Sequence, residues 1–139
     1  MVSLKVHNIL DYVIALVLVL SPFIFGFSDI TAAKNIFLVL GFGLATYSLI
    51  TKYYYCIARI IPVGVHMIFD SAAGVTLLAA PYLFDYRENL TELQFGVHVA
   101  MGVGAIGLVS LTKTRTEAAK TVEERRDTSG TTFSRPHRV

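Results

Sequence analysis

The sequence predicts an all-α membrane domain: a four-transmembrane-helix bundle built from two parallel two-helix repeats. Three observations predict it. The first is apolar excess. Of 139 residues 54% are hydrophobic, with a mean hydropathy of +0.60, which is more than a soluble domain of this size can bury. The second is charge placement. Half of the 12 Lys and Arg and 10 Asp and Glu taken together lie beyond Leu111. Residues 1–112 are therefore poor in charge over a length that suits four spans of about 20 residues each with short connections. The third is an internal duplication, in which VHNILDYVIALVLVLSP from Val6 is echoed by VHMIFDSAAGVTLLAAP from Val65.

Span one is expected over residues 3–21, closed by Pro22. It is too long for a cleaved signal and has no small-residue cleavage site after it, so it reads as a retained span. Span two is expected over 31–50. Span three covers 62–80, closed by Pro81, with Pro62 in the first turn, where a missing N–H costs nothing. Span four covers 91–112. Thr91-x-x-Gln94 forms a capping box there, with Asn89-x-x-Glu92 as a competing start. The remaining 113–139 form a polar cytoplasmic tail. Residues 116–126 are good helix formers, and from Asp127 onward the composition is that of a disordered segment.

A shift of 59 places repeat one, 3–52, on repeat two, 62–111, without a gap. His7, Asp11, Leu18 and Pro22 fall on His66, Asp70, Leu77 and Pro81, and Gly43 falls on Gly102. His7, Asp11, Ala15, Leu18 and Pro22 are spaced four, four, three and four residues apart, so they share one helical stripe. That stripe is expected to face the bundle interior. Each repeat holds two spans, so both enter from the same side. Lys5, Lys52, Arg59, Lys113 and Arg115 against Lys34 and Arg87 put both termini in the cytoplasm, with the chain in the inner membrane. Tyr53, Tyr54 and Tyr55 fit an aromatic belt on that side. Phe23, Phe25, Phe27, Tyr82, Phe84 and Tyr86 fit one on the other.

The ionisable residues inside the spans ask for a role, because each costs about 2.5–3.5 kcal/mol to insert. The plain reading is internal pairing. His7 reaches Asp11 and His66 reaches Asp70 at i,i+4, and such bonds in a bundle are worth about 0.6 kcal/mol each. A sharper reading is a metal site. His7, Asp11, His66 and Asp70 offer two imidazoles and two carboxylates, a set that suits zinc or another first-row divalent ion. His98 adds to it, expected level with Asp70 or slightly beyond and matched to Val39 in span two. A proton relay through Asp11, Asp70 and His98 and a bis-histidine haem using His98 with His66 or His7 are further alternatives. Gly96-x-x-x-Ala100-x-x-x-Gly104 and Gly41-x-x-x-Ala45 are small-residue patterns expected to pack within the bundle, or else to form a homodimer face.

Ser21-Pro22-Phe23 at the end of span one, repeated as Ala80-Pro81-Tyr82, resembles the Ser-Pro-Trp triplet of the SPW-repeat integral membrane proteins. In that family the triplet ends the first helix of a two-helix unit. Here Phe23 and Tyr82 stand in the tryptophan position. The resemblance runs over residues 5–111. It implies a small bacterial or archaeal membrane protein and brings no activity with it.

Other chemistry is excluded by the residues. The lone Cys56 makes no internal disulfide and no paired-thiol redox site. No glycine-rich loop follows a strand to cradle phosphate, and Ser71 lies off the face of His66, against a Ser-His-Asp triad. The net charge of +2 follows membrane topology and does not indicate nucleic acid. The expectation is a non-enzymatic protein without cofactor. It would lie in the lipid bilayer in a structural or accessory role, beside a membrane partner that the sequence leaves unnamed.

Overall fold

The computed structural model describes residues 2–52 and 55–112. Tyr53, Tyr54 and the tail 113–139, with its expected helix and basic residues, lie outside the described residues. Four α-helices account for most of the rest: α1 Leu4–Ile24, α2 Thr31–Ile50, α3 Val63–Leu83 and α4 Glu92–Leu111. At 20 or 21 residues each rises about 30 Å, the thickness of a hydrocarbon core, and all four are apolar enough to cross a membrane. Leu16, Ile24, Val39, Phe42 and Leu93 point outward, while His7, Asp11, His66 and Asp70 point inward. A surface this apolar around a polar centre is the arrangement for lipid, not water.

Local sequence sets the helix ends. Ser3 caps α1, its Oγ accepting from the Val6 N–H at 3.3 Å. The capping box expected at Thr91 and Gln94 is present at the start of α4, so the competing start at Asn89 loses. Pro22 and Pro81 do not close their helices as expected. Both sit inside, with α1 and α3 running two residues further. A proline near the C-terminal end breaks only one internal bond, and the following turn compensates. The N–H of Phe27 donates to Pro22 O at 2.9 Å, and that of Tyr86 donates to Pro81 O at 3.0 Å. These six-to-one bonds require a left-handed residue just before them. Gly26 (φ 70°) supplies it in repeat one and Asp85 (φ 53°) in repeat two, aspartate being one of the few side chains that tolerate it.

The repeats are not related by one shift. α1 and α3 correspond at 59 residues, but α2 and α4 correspond at 61. The second hairpin turn is two residues longer and holds a 3-10 turn at Arg87–Asn89. The gapless alignment is therefore corrected in its second half. Gly41, Gly43 and Thr51 match Gly102, Gly104 and Thr112, and His98 matches Phe37 rather than Val39.

The two hairpins run in parallel. His7 and His66, each in the first turn of its helix, have ring centroids 5.9 Å apart. At the other end Gln94 Nε2 donates to Phe25 O at 3.0 Å and to Gly26 O at 3.2 Å. Within each hairpin a glycine allows close contact. A Cβ on Gly41 would lie 3.0 Å from Ala15 O, and one on Gly102 would lie 2.8 Å from Gly74 O. The α4 small-residue pattern is not what packs there. Gly96, Ala100 and Gly104 are exposed and Gly102 turns inward, because the pattern lies on the opposite face of the helix. The outer aromatic belt also needs correction. Phe23, Tyr82 and Phe84 are exposed, but Phe27 and Tyr86 are buried, drawn in by the turns that their N–H groups close.

Candidate functional site

The inward stripes of α1 and α3 meet near the end where both helices begin. His7 and Asp11 come from one, His66 and Asp70 from the other, and no member is more than 7% exposed. Each imidazole contacts both carboxylates. His7 Nε2 lies 3.4 Å from Asp11 Oδ1 and 3.1 Å from Asp70 Oδ2. His66 Nε2 lies 3.2 Å from Asp11 Oδ2 and 3.2 Å from Asp70 Oδ2. The pairs expected along one helix are there, but they are half of the arrangement. The other half crosses from one repeat to the other.

The chain closes on itself behind the histidines. Val2 bridges Thr112 and Ile61 bridges Thr51, so the start of each repeat pairs with the end of the other. These bridges bring a threonine behind each ring. Thr112 Oγ1 lies 2.8 Å from His7 Nδ1, and Thr51 Oγ1 lies 2.9 Å from His66 Nδ1. Each threonine donates its one hydroxyl proton to the carbonyl four residues back, Leu108 O and Tyr47 O, both at 2.6 Å. The hydroxyl can then only accept from the ring, so Nδ1 carries hydrogen and donates on both histidines. Both Nε2 atoms are thereby turned to the carboxylates with a fixed chemical role.

The second-repeat aspartate has an extra partner. Tyr47 donates to Asp70 Oδ1 at 2.6 Å. The position matching Tyr47 in repeat two is Leu108, which offers no hydroxyl to Asp11, and Asp11 Oδ2 is buried without a hydrogen bond. Beside the centre, Asn8 Oδ1 accepts from the Tyr55 N–H at 3.0 Å and Tyr12 donates to Tyr55 O at 2.9 Å, which holds the 51–61 loop on α1.

His98 does not join this centre. Gly74 and Gly102 are level across the α3–α4 contact. Asp70 is one turn from Gly74 towards one end, and His98 is one turn from Gly102 towards the other. They are separated by about 12 Å along the bundle, because α4 runs against α3. A haem held by His98 with His7 or His66 has no geometry here. Between the two levels Leu18, Leu44, Leu77 and Met101 border a cavity of about 20 Å³ next to Asp11 and Asp70, room for about one water.

His98 belongs to an aromatic cluster at the far end. Its ring centroid lies 4.7 Å from Phe37, 5.4 Å from Phe27 and 5.7 Å from Tyr86, and its Nδ1 donates to Gln94 O at 2.9 Å. Phe27 corresponds to Tyr86 and Phe37 to His98, so one half of the cluster is apolar and the other polar. The Tyr86 hydroxyl is buried without a hydrogen bond, and burial pushes its phenol up to about 12. Tyr86→Phe should therefore stabilise the chain by about 1–3 kcal/mol. It should also remove a loss of stability that sets in above pH 10, the ordinary tyrosine value, and deepens through the folded value of about 12. Thermal melts from pH 8 to 12 check both parts.

Sequence reasoning passed over Thr51, Thr112, Tyr47 and Asn8. The two threonines could have been found, since they match once the longer second turn is allowed for. Tyr47 and Asn8 have no counterpart in the other repeat and so no such signal.

No curated protein matches the chain, and no solved structure does. A family model described as SPW repeat domain matches residues 5–112, from the start of α1 to the threonine behind His7. The triplets that carry the resemblance have a common geometry. Ser21, Pro22, Ala80 and Pro81 are buried, while Phe23 and Tyr82 turn outward at the membrane boundary, where amphipathic rings belong. With four helices able to span a bilayer and a family match over most of its length, this membrane protein belongs to the SPW repeat family.

Proposed function

We propose that this is a non-enzymatic integral membrane protein with a structural or accessory role, in which the His and Asp centre is the clasp between the two hairpins. The observation that carries the reading is the reciprocal crossing, with His7 on Asp70 and His66 on Asp11. A pairing confined to each helix would leave the facing surfaces of α1 and α3 joined at this level by apolar packing. Between helices in lipid such packing has no hydrophobic driving force behind it.

The non-catalytic part is supported by the chemistry around the centre. The aliphatic hydroxyls of Thr51, Thr112 and Ser71 donate to backbone carbonyls and so are not poised as nucleophiles. The cytoplasmic placement of both termini is supported by Lys5, Lys52 and Arg59 at the clasp end, against Lys34 and Arg87 among Asp29, Asp85, Glu88 and Glu92 at the other.

Spin labels on Lys5→Cys and Gly64→Cys, in a Cys56→Ser background, test the clasp in the full chain. Both positions are exposed and open the two crossing helices. The distance distribution should be narrow in the parent and should broaden and lengthen in His66→Ala. An unchanged distribution would remove the clasp.

A further inference from the structure

We infer that the clasp closes on a divalent metal ion of the zinc class, held by His7, Asp11, His66 and Asp70; this rests on the reading of the centre as a clasp. The threonines decide what the centre needs. With Nδ1–H committed to Thr112 and Thr51, a neutral imidazole turns a bare Nε2 lone pair towards carboxylate oxygens at 3.1–3.4 Å. Something positive has to lie between them. Two protons, one on each Nε2, give a centre of zero net charge, and so does one divalent cation.

The number of contacts separates these choices. Each Nε2 has two short contacts, one to each aspartate. A single proton on that nitrogen serves one of them, so two protons serve two contacts of four. One cation in the middle serves both imidazoles and both aspartates at once. The separations fit this too. A tetrahedral ion bound at 2.0–2.1 Å keeps neighbouring ligand atoms roughly 3.3 Å apart; with Asp11 Oδ1 and Asp70 Oδ2 as the carboxylate ligands, the three contacts of 3.1, 3.2 and 3.4 Å lie about that value. One ligand atom from each of the four residues can be chosen so that all lie within 4.8 Å of one another.

Asp11 offers both of its oxygens, Oδ1 to His7 and Oδ2 to His66, and neither has the hydroxyl donor that Tyr47 gives Asp70. Behind the ligands, each His–Thr–carbonyl chain is the outer support that metal-bound histidines need to fix tautomer and ring direction, and Tyr47 does the same for Asp70. The donor set of two nitrogens and two carboxylates favours zinc-like ions over magnesium or calcium.

Binding exchanges charge without creating any. One divalent ion enters, about two protons leave, and the centre stays neutral within the membrane.

Full-length protein in detergent, stripped with a chelator, is titrated with Co²⁺ and with Zn²⁺. The inference expects one ion per chain, visible cobalt bands of a tetrahedral site, release of about two protons per ion and a higher melting temperature with zinc. His66→Ala and Asp11→Asn should abolish the bands. Thr51→Val keeps all four ligands and should weaken affinity by about 10–100-fold, which a purely packing role of the threonine would not do. If stripped parent protein shows neither cobalt bands nor a zinc shift while His66→Ala still lowers its melting temperature, the metal is wrong and the clasp stands. If His66→Ala leaves the melting temperature unchanged, the clasp fails and the metal site with it.

Discussion

In metal-free buffer, Asp11→Ala should lower the unfolding free energy by about 3–5 kcal/mol, a large share of what a small domain has. Asp11 is 1% exposed and faces both imidazoles. Removing it leaves His7 and His66 to share Asp70, with one positive charge uncompensated in a bundle core. The informative comparison is the variant in which His7, Asp11, His66 and Asp70 all become leucine. Losing the whole buried set removes the charges together with their desolvation cost. That variant should therefore be more stable than Asp11→Ala despite carrying four changes. Asp70→Ala should be the worse of the two single aspartate losses, because it also removes the acceptor of the short bond from the half-buried Tyr47. Denaturant melts in micelles rank the variants. A quadruple-leucine protein that melts below Asp11→Ala would mean that the centre contributes through shape and not through charge balance.

Much of this was legible in the sequence, and what was not has a physical cause. The stripe His7, Asp11, Ala15, Leu18 and Pro22 is buried on α1, and its match is buried on α3. Helical periodicity reports a buried face whether the surroundings are water or lipid. Span two was placed at the observed ends, Thr31–Ile50. The matching of His98 to Val39 came from one assumption, that the repeats match without a gap. Two extra residues in the second turn shift α4 against that alignment, and on a helix two residues are slightly more than a half-turn. The error therefore changed the face, and moved the depth by only about 3 Å. It paired His98 with exposed Val39 instead of buried Phe37, and Gly102 with Gly43 instead of Gly41. The reciprocal crossing of His and Asp was beyond reach for another reason. Periodicity says which face is buried, but not which side chain it meets on a helix 59 residues away.

Gly102→Val should open the second hairpin, and the clasp with it. A Cβ there would lie 2.7 Å from Leu78 Cγ and 2.8 Å from Gly74 O. Leucine can rotate aside, but the carbonyl belongs to the α3 backbone. The helices must separate by some tenths of an ångström for alanine, and by more for valine. Gly74→Ala meets the same limit from the other side, with Gly102 O 2.8 Å from the new carbon. Overpacking of this kind costs about 1–3 kcal/mol for alanine, with valine at or above the upper end. Because Asp70 lies one turn from Gly74, the separation also pulls one carboxylate away from His7, so metal affinity and stability should fall together. Gly96→Ala and Gly104→Ala are the controls. Nothing lies within 4 Å of a Cβ at either position, and alanine is the better helix former by about 1 kcal/mol. Both should melt at or above the parent. If they instead lost as much as Gly102→Ala, the exposed stripe of α4 would be in close contact in solution, and the face of α4 assigned to lipid would be wrong.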